Sequence, residues 1–193
     1  MTIWITSDLH FGHKNIAGPT VSNWESGYRN FDSVEEMNDT IISNLNECVT
    51  EGDTLYVLGD FAMGPTQLIP EHRKRINCAD IRLIYGNHDK AIRGNSSYRD
   101  LFTFCKDYHE TRHDGVKVCM SHYCQTVWNE NGRGSVQLYG HSHGSLPEPP
   151  GRQFDVGVDC HDFKPLTLDE CVSYATSKPV VTLDNHTSKT SYH

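Results

Sequence analysis

The sequence predicts a mixed α/β protein built on two sheets, and three observations lead there. Short β-branched apolar runs outnumber helical segments. Hairpin-like neighbours stand beside strand-helix-strand units, which suits a mixed core better than a purely parallel one. Five of the apolar runs end in ligand-type residues: Ile3-Trp4-Ile5 before Asp8-Leu9-His10, Leu55-Tyr56-Val57-Leu58 before Gly59-Asp60, Ile81-Arg82-Leu83-Ile84-Tyr85 before Gly86-Asn87-His88-Asp89, Val116-Lys117-Val118-Cys119-Met120 before Ser121-His122, and Val136-Gln137-Leu138-Tyr139 before Gly140-His141-Ser142-His143. Strand ends converge on one sheet edge, where loops build a site.

Taken in order, the first strand is followed by a polar, glycine-bearing loop running through Asn30. A loop of that length in a compact domain is functional or mobile. Ser33-Val34-Glu35-Glu36 is a capping-box pattern, and Val34, Met37, Ile41, Leu45 and Cys48 follow at helical spacing. They predict a helix from about Ser33 to Val49. Glu51-Gly52-Asp53 turns into the second strand, and Gln67 to Asn77 reads as a helix with Pro70 near its first turn. Its Arg73-Lys74-Arg75 is expected to be a solvated face rather than a phosphate patch. From Phe102 to Met120, two alternating segments flank His113-Asp114-Gly115, a hairpin signal. Phe154 to Asp159 reads as a further strand, and Thr167-Leu168-Asp169-Glu170 caps a helix to about Ser177. Val180-Val181 suggests an edge strand, followed by a polar tail from about position 183.

The 193 residues suit a single domain over 1–193. A net charge of −8 argues against broad adhesion to nucleic acid or anionic membranes. It leaves open a nucleotide or nucleic-acid end as substrate, because bound cations reverse charge locally. Seven cysteines without a Cys-x-x-Cys pattern point to reduced thiols, packed as small apolar residues. Cys160, between Asp159 and His161, stays open as a possible site neighbour. With no signal-peptide pattern and no apolar run of membrane-spanning length, a cytoplasmic protein is expected.

Residues two apart in an extended segment share a face, so Asp8 and His10 can bind one ion and His141 and His143 can point into one cavity. Carboxylates, imidazoles and an amide, without thiolates, suit Mn²⁺, Fe, Zn²⁺ or Co²⁺ better than Mg²⁺ or Ca²⁺. Seven candidate ligands among these strand-end residues are too many for one ion and about right for two.

As an ordered set, the five motifs between positions 8 and 143 resemble those of the calcineurin-like metallophosphoesterases. Asp8-Leu9-His10-Phe11-Gly12-His13 and Val156-Gly157-Val158-Asp159 further resemble the small, uncapped phage and bacterial members. The resemblance implies a four-layer α/β/β/α sandwich of two mixed sheets. It implies that Asp8, His10 and His143 bind one metal, that Asp60 bridges two, and that Asn87, His122 and His141 bind the other. His88 would contact the phosphate and protonate the leaving oxygen.

Two positions depart from the pattern. Met63 stands where large members carry an acidic residue that would orient His88, and Ser121 replaces the usual glycine before His122. The weaker assignments are His13 reaching the phosphate or fixing a ligand, Asp155 and Asp159 orienting metal-bound histidines, and Arg133 and Arg152 as phosphate clamps, with solvated arginines preferred for the last pair.

The expected activity is dinuclear metal-dependent hydrolysis of a phosphoric ester. Mn²⁺ is the first choice for both ions, and Fe, Zn²⁺ or Co²⁺ are the alternatives. Two cations about 3.5 to 4 Å apart lower the pKa of a bridging water from near 15.7 toward neutrality and spread the charge of an in-line displacement. A phosphodiester is preferred over a monoester of a small molecule or nucleotide, because an uncapped chain leaves the metals open to an extended substrate. The rival from another class is a non-catalytic metal-binding scaffold, which would be marked by loss of His88 or of ligands. None is lost.

Overall fold

The computed structural model describes residues 1–18 and 29–182. Strand β1 (Ile3–Thr6) leads to a short helix α1 (Lys14–Ala17), and helix α2 (Val34–Cys48) returns the chain to β2 (Thr54–Val57). Helix α3 (Ile69–Lys74) precedes β3 (Asp80–Ile84), and α4 (Lys90–Gly94) and α5 (Ser96–Arg99) precede β4 (Phe104–Lys106). Strands β5 (His109–His113), β6 (Val116–Met120), β7 (Val136–Tyr139) and β8 (Gln153–Asp155) follow. The chain then forms β9 (Leu166–Thr167) and α6 (Leu168–Ser177).

One sheet has the order β4-β3-β2-β1-β9 and the other β5-β6-β7-β8. In the first, β1 to β4 are parallel and β9 is antiparallel to β1. In the second, β5 and β6 form the predicted hairpin, and β6, β7 and β8 are parallel. Both sheets are therefore mixed, as expected.

The central strand β2 is buried on both faces along its whole length, which explains its unbroken apolar run. Leu55 and Val57 enter a core with Met37, Ile41 and Leu45 of α2. Their alternates Tyr56 and Leu58 enter a second core with Ile5, Ile84 and, from the other sheet, Val118, Met120, Val136 and Leu138. Leu168, Cys171, Val172 and Ala175 of α6 complete this second core. The period of two thus assigns each strand residue to one core or the other. Buried Gln137 on β7 is satisfied by Ser121, Tyr123 and Gln125.

Both long helices start where their caps predict. The Ser33 side chain accepts from Glu36 N at 3.0 Å, although the Glu36 carboxylate reaches back to Asp32 N rather than to Ser33. At Thr167 both halves of the box form with Glu170.

Four expectations change. The helix over 67–77 is shortened to α3 behind a 3₁₀ turn at Thr66–Leu68. A helix begun at Gln67 would need the N–H that Pro70 lacks, whereas Pro70 fits the first turn of the shorter one. On it, Lys74 and Arg75 are exposed as expected, and half-buried Arg73 donates to the carbonyls of Leu101, Ile76 and Ala79. The segment from Phe102 is not one hairpin arm: β4 joins the first sheet beside β3, and only β5 pairs with β6. The strand over 154–159 stops at Asp155, whose carboxylate accepts from Gly157 N at 2.9 Å and turns the chain into a 3₁₀ turn at Val158–Cys160. Val180 and Val181 form no strand, and the tail from 183 and most of the loop before Asn30 lie outside the described residues.

Candidate metal centre

Parallel register aligns the strand ends. Thr6 pairs with Val57 and Val57 with Leu83, so the Asp8, Asp60 and Asn87-His88 segments leave the first sheet side by side. Strands β6, β7 and β8 deliver His122, His141-Ser142-His143 and Asp155 to Asp159 from the second sheet. Cross-links hold the bundle of loops. Asp8 N donates to Gly59 O at 3.0 Å and His10 N to Asp60 O at 2.9 Å. Asp8 Oδ2 accepts from His141 N at 2.8 Å, and Asp60 Oδ1 accepts from His88 N at 2.8 Å.

Two glycines permit this closeness. A Cβ at Gly86 would stand 2.1 Å from Asp60 Oδ1, and one at Gly140 would stand 2.0 Å from Ser7 Oγ and 2.4 Å from Asp8 Oδ2.

The side chains gather into two groups, Asp8 with His10 and His143, and Asp60 with His122 and His141. Asn87 lies beside the second, its Oδ1 3.0 Å from His122 Nε2. Asp60 Oδ2 stands 3.5 Å from His10 Nε2 and 3.5 Å from His122 Nε2, midway between the groups.

The backbone achieves this by a means the extended-segment argument did not anticipate. Asp8, His10, Asp60, His141 and His143 all have left-handed φ, between 48° and 71°. Each such residue costs about 1–2 kcal/mol, a strain stored at the site and met by the two cores beneath it. His141 and His143 both line one cavity, as expected, and join different groups within it, the chain turning at each of them.

The donor set fits cations. Asp8 Oδ1 and His10 Nε2 are buried and have no hydrogen-bond partner. The His122 ring donates Nδ1–H to Leu58 O at 2.8 Å, so in a neutral ring Nε2 presents a lone pair to Asn87 Oδ1 and Asp60 Oδ2. Lone pairs facing lone pairs call for positive charge between them. Burial acts to lower the His122 pKa, but Asp60 and Asp8 outweigh it and raise it. Burial, reinforced by Arg29, holds His10 well below the usual imidazole value and therefore neutral. Burial pushes Asp8 up to about 6.

Around the first group lies a support in which Asp159 orients a candidate ligand as the sequence suggested, while Arg29 was not foreseen. Buried Arg29 donates from Nε and Nη2 to the two oxygens of Asp159, both at 2.8 Å. It also donates to Asp8 O at 2.5 Å and Leu9 O at 3.0 Å. Asp159 Oδ2 in turn accepts from His143 Nδ1 at 2.7 Å, which leaves Nε2 of that ring facing the site. Burial raises the Asp159 carboxyl, but His143 and Arg29 outweigh it and hold it at about 2. Arg29 follows an undistinguished polar loop, so no sequence signal singles it out.

Of the other expected residues, His13 pairs with His10 through Nδ1 atoms 3.2 Å apart, in keeping with fixing a ligand. Asp155 does not meet a candidate ligand by hydrogen bond, because Gly157 N takes its carboxylate. Arg152 is spent on the carbonyls of Gly134 and Lys178 rather than on a phosphate. Asp89 ties two motifs together, its carboxylate accepting from the backbone N–H groups of Gly86, Asp60 and Phe61. Met63 is partly exposed, and the His88 ring packs against His10 and His13, with centroids 5.4 and 6.3 Å away.

A profile of the calcineurin-like phosphoesterase superfamily domain matches residues 1–152. The chain belongs to that superfamily. It is accordingly a phosphoesterase of a metal-dependent family. An uncharacterized protein of Methanocaldococcus jannaschii is 29% identical over 187 residues, covering 93% of this chain and 94% of its own. The Gene 66 protein of Mycobacterium phage D29 is 29% identical over 205 residues, covering 85% and 92%. Among solved structures, a protein of unknown function from Aquifex aeolicus shares the fold with a TM-score of 0.63 at 21% identity, covering 90% of this chain and 98% of that one. Among the described residues, no helix is long and apolar enough to cross a membrane.

Proposed function

We propose that this phosphoesterase hydrolyses a phosphodiester with two divalent cations, Mn²⁺ the first choice, as one cytoplasmic domain. Asp8, His10 and His143 would hold the first cation, Asn87, His122 and His141 the second, and Asp60 both. The observation that carries the reading is the Asp60 Oδ2 atom, 3.5 Å from a histidine nitrogen of each group. When bound, the cations would supply an activated water and neutralise charge on the phosphoryl oxygens.

The rest falls to the chain. Asn87 and His88 flank the phosphate position, with His88 held by its backbone bond to Asp60. Its ring lines a cavity of about 280 Å³ together with His10, His13 and Ser142. From there its imidazole would donate a proton to the leaving oxygen. His13 would fix the His10 ring and close the cavity wall. Preference for a diester is supported by two open spaces at the paired groups, the His88 cavity lined by ligands of both and a separate cleft beside Asn87 and His122.

The test is Mn²⁺-dependent hydrolysis of bis(4-nitrophenyl) phosphate beside 4-nitrophenyl phosphate, using wild type and Asp60→Asn. Diester turnover that disappears in the variant is expected. Faster monoester turnover would reassign the substrate class, and no turnover of either by metal-loaded wild type would favour a scaffold.

A further inference from the structure

The cleft beside Asn87 and His122 has a volume of about 570 Å³, within the range of small-molecule sites. Its walls carry aromatic and cationic groups, although the chain as a whole has a net charge of −8. Not all of them are available. The Arg93 guanidinium lies 4.0 Å over the Tyr85 ring and pairs with Asp107. Tyr123 is different: it is 49% exposed, braced at its edge by His141 and His122 with ring centroids 4.6 and 5.0 Å away. Lys90 is exposed and has no ion-pair partner among the described residues. The cleft therefore offers one half-exposed ring, whose hydroxyl donates to Asn87 Oδ1 at 3.4 Å, and one uncommitted ammonium, beside Asn87 of the second ligand group.

We propose that this cleft binds the nucleoside arm of the diester, the base on Tyr123 and one further phosphate on Lys90, and that this arm stays on phosphorus. The inference rests on the phosphodiesterase reading and names the substrate for it. Its direction comes from His88, which lines the 280 Å³ cavity and not the cleft. An acid that protonates the leaving oxygen stands on the leaving side, so the departing alcohol occupies the His88 cavity and the retained arm the cleft. The balance is that of hydrolysis. A water oxygen bonds to phosphorus and loses a proton, the bond to the leaving oxygen breaks with its electron pair, and His88 supplies that oxygen's proton. The products are a nucleoside phosphate and an alcohol. A single free cation in the cleft suits one additional phosphate rather than a long polyanion.

Three diesters with the same leaving group separate the contributions: bis(4-nitrophenyl) phosphate, thymidine 5′-(4-nitrophenyl phosphate), and the latter with a 3′-phosphate. With Mn²⁺-loaded protein, kcat/KM should rise about tenfold when the base is added, as one stacked base contributes elsewhere. It should rise several-fold again with the 3′-phosphate at low salt, a gain that added salt removes. Tyr123→Ala should abolish the first rise. Lys90→Ala should abolish the second while leaving bis(4-nitrophenyl) phosphate turnover and the melting temperature unchanged. Equal kcat/KM for the three esters, or a 3′-phosphate gain that survives Lys90→Ala, overturns the inference and leaves the phosphodiesterase reading standing. Absent turnover of the simple diester overturns both.

Discussion

The two ligand groups differ in what stands behind them. Asp8 and His10 are buried, and His143 is backed by Asp159, itself clamped by Arg29 from Nε and Nη2. The second group shares buried Asp60 and His122, but His141 is exposed, and its ring meets Tyr123 at 4.6 Å rather than a carboxylate. A carboxylate behind a histidine fixes its tautomer and raises its basicity. On the proposed dinuclear reading, the first position would hold its cation the more tightly, and the second, open toward the cleft, would exchange its cation more readily.

The largest effect tests what the groups share. Asp60→Asn keeps an acceptor for His88 N but removes the carboxylate oxygen between the groups. Activity should fall at least about 100-fold, more than loss of an outer partner costs, and metal analysis should find fewer than two ions per chain. Two tightly held ions in this variant would show that the groups are independent.

Next comes Arg29→Met, aimed at the first group alone. It leaves the Asp159 charge without its partner, a defect that costs about 3 kcal/mol or more when a buried pair is broken. Denaturant unfolding reads that loss, and calorimetric titration with Mn²⁺ should show the tighter event weakened and the weaker one unchanged. Arg29→Lys should recover only part, because an ammonium cannot match a planar fork on two carboxylate oxygens. Equal weakening of both events would contradict the asymmetry. A milder comparison is His143→Ala against His141→Ala. Each should remove one of the two binding events, the tighter in the first variant and the weaker in the second.

The same asymmetry governs what could be read from the chain beforehand. Ligand types and their positions at strand ends are local facts, so Asp8, His10, Asp60, Asn87, His122, His141 and His143 are legible as candidates, but only the family resemblance set them apart from His88 and Asp89. The cap at Thr167 and the β5–β6 turn at Asp114-Gly115 are equally local. Arg29 is not, since its partner Asp159 lies 130 residues away and neither residue belongs to a repeating pattern. Left-handed turns at five ligands are invisible for a related reason. Only the packing of two sheets beneath the loops holds them there, and a propensity argument has no access to it. The short β4 was misread because an alternating segment does not say which sheet it will join.

Cys160 offers the smallest test, a probe of the field around the first group. A Cβ at Gly144, next to His143, would lie 3.3 Å from its sulfur. Although the residue is exposed, its thiol is pushed up to about 12, first by partial burial of the sulfur and then by Asp155 and Asp159. A thiol so shifted is less ionised at pH 8 than an unperturbed cysteine, which is partly thiolate there. Iodoacetamide should therefore modify Cys160 several-fold more slowly than a free cysteine thiol, read by mass spectrometry of the peptide. Asp159→Asn removes one of the two carboxylates, so the rate should rise in that variant. A fast rate in wild type would mean that Arg29 and the imidazoles outweigh the carboxylates at Cys160, and that the first group is less negative than its hydrogen bonds imply.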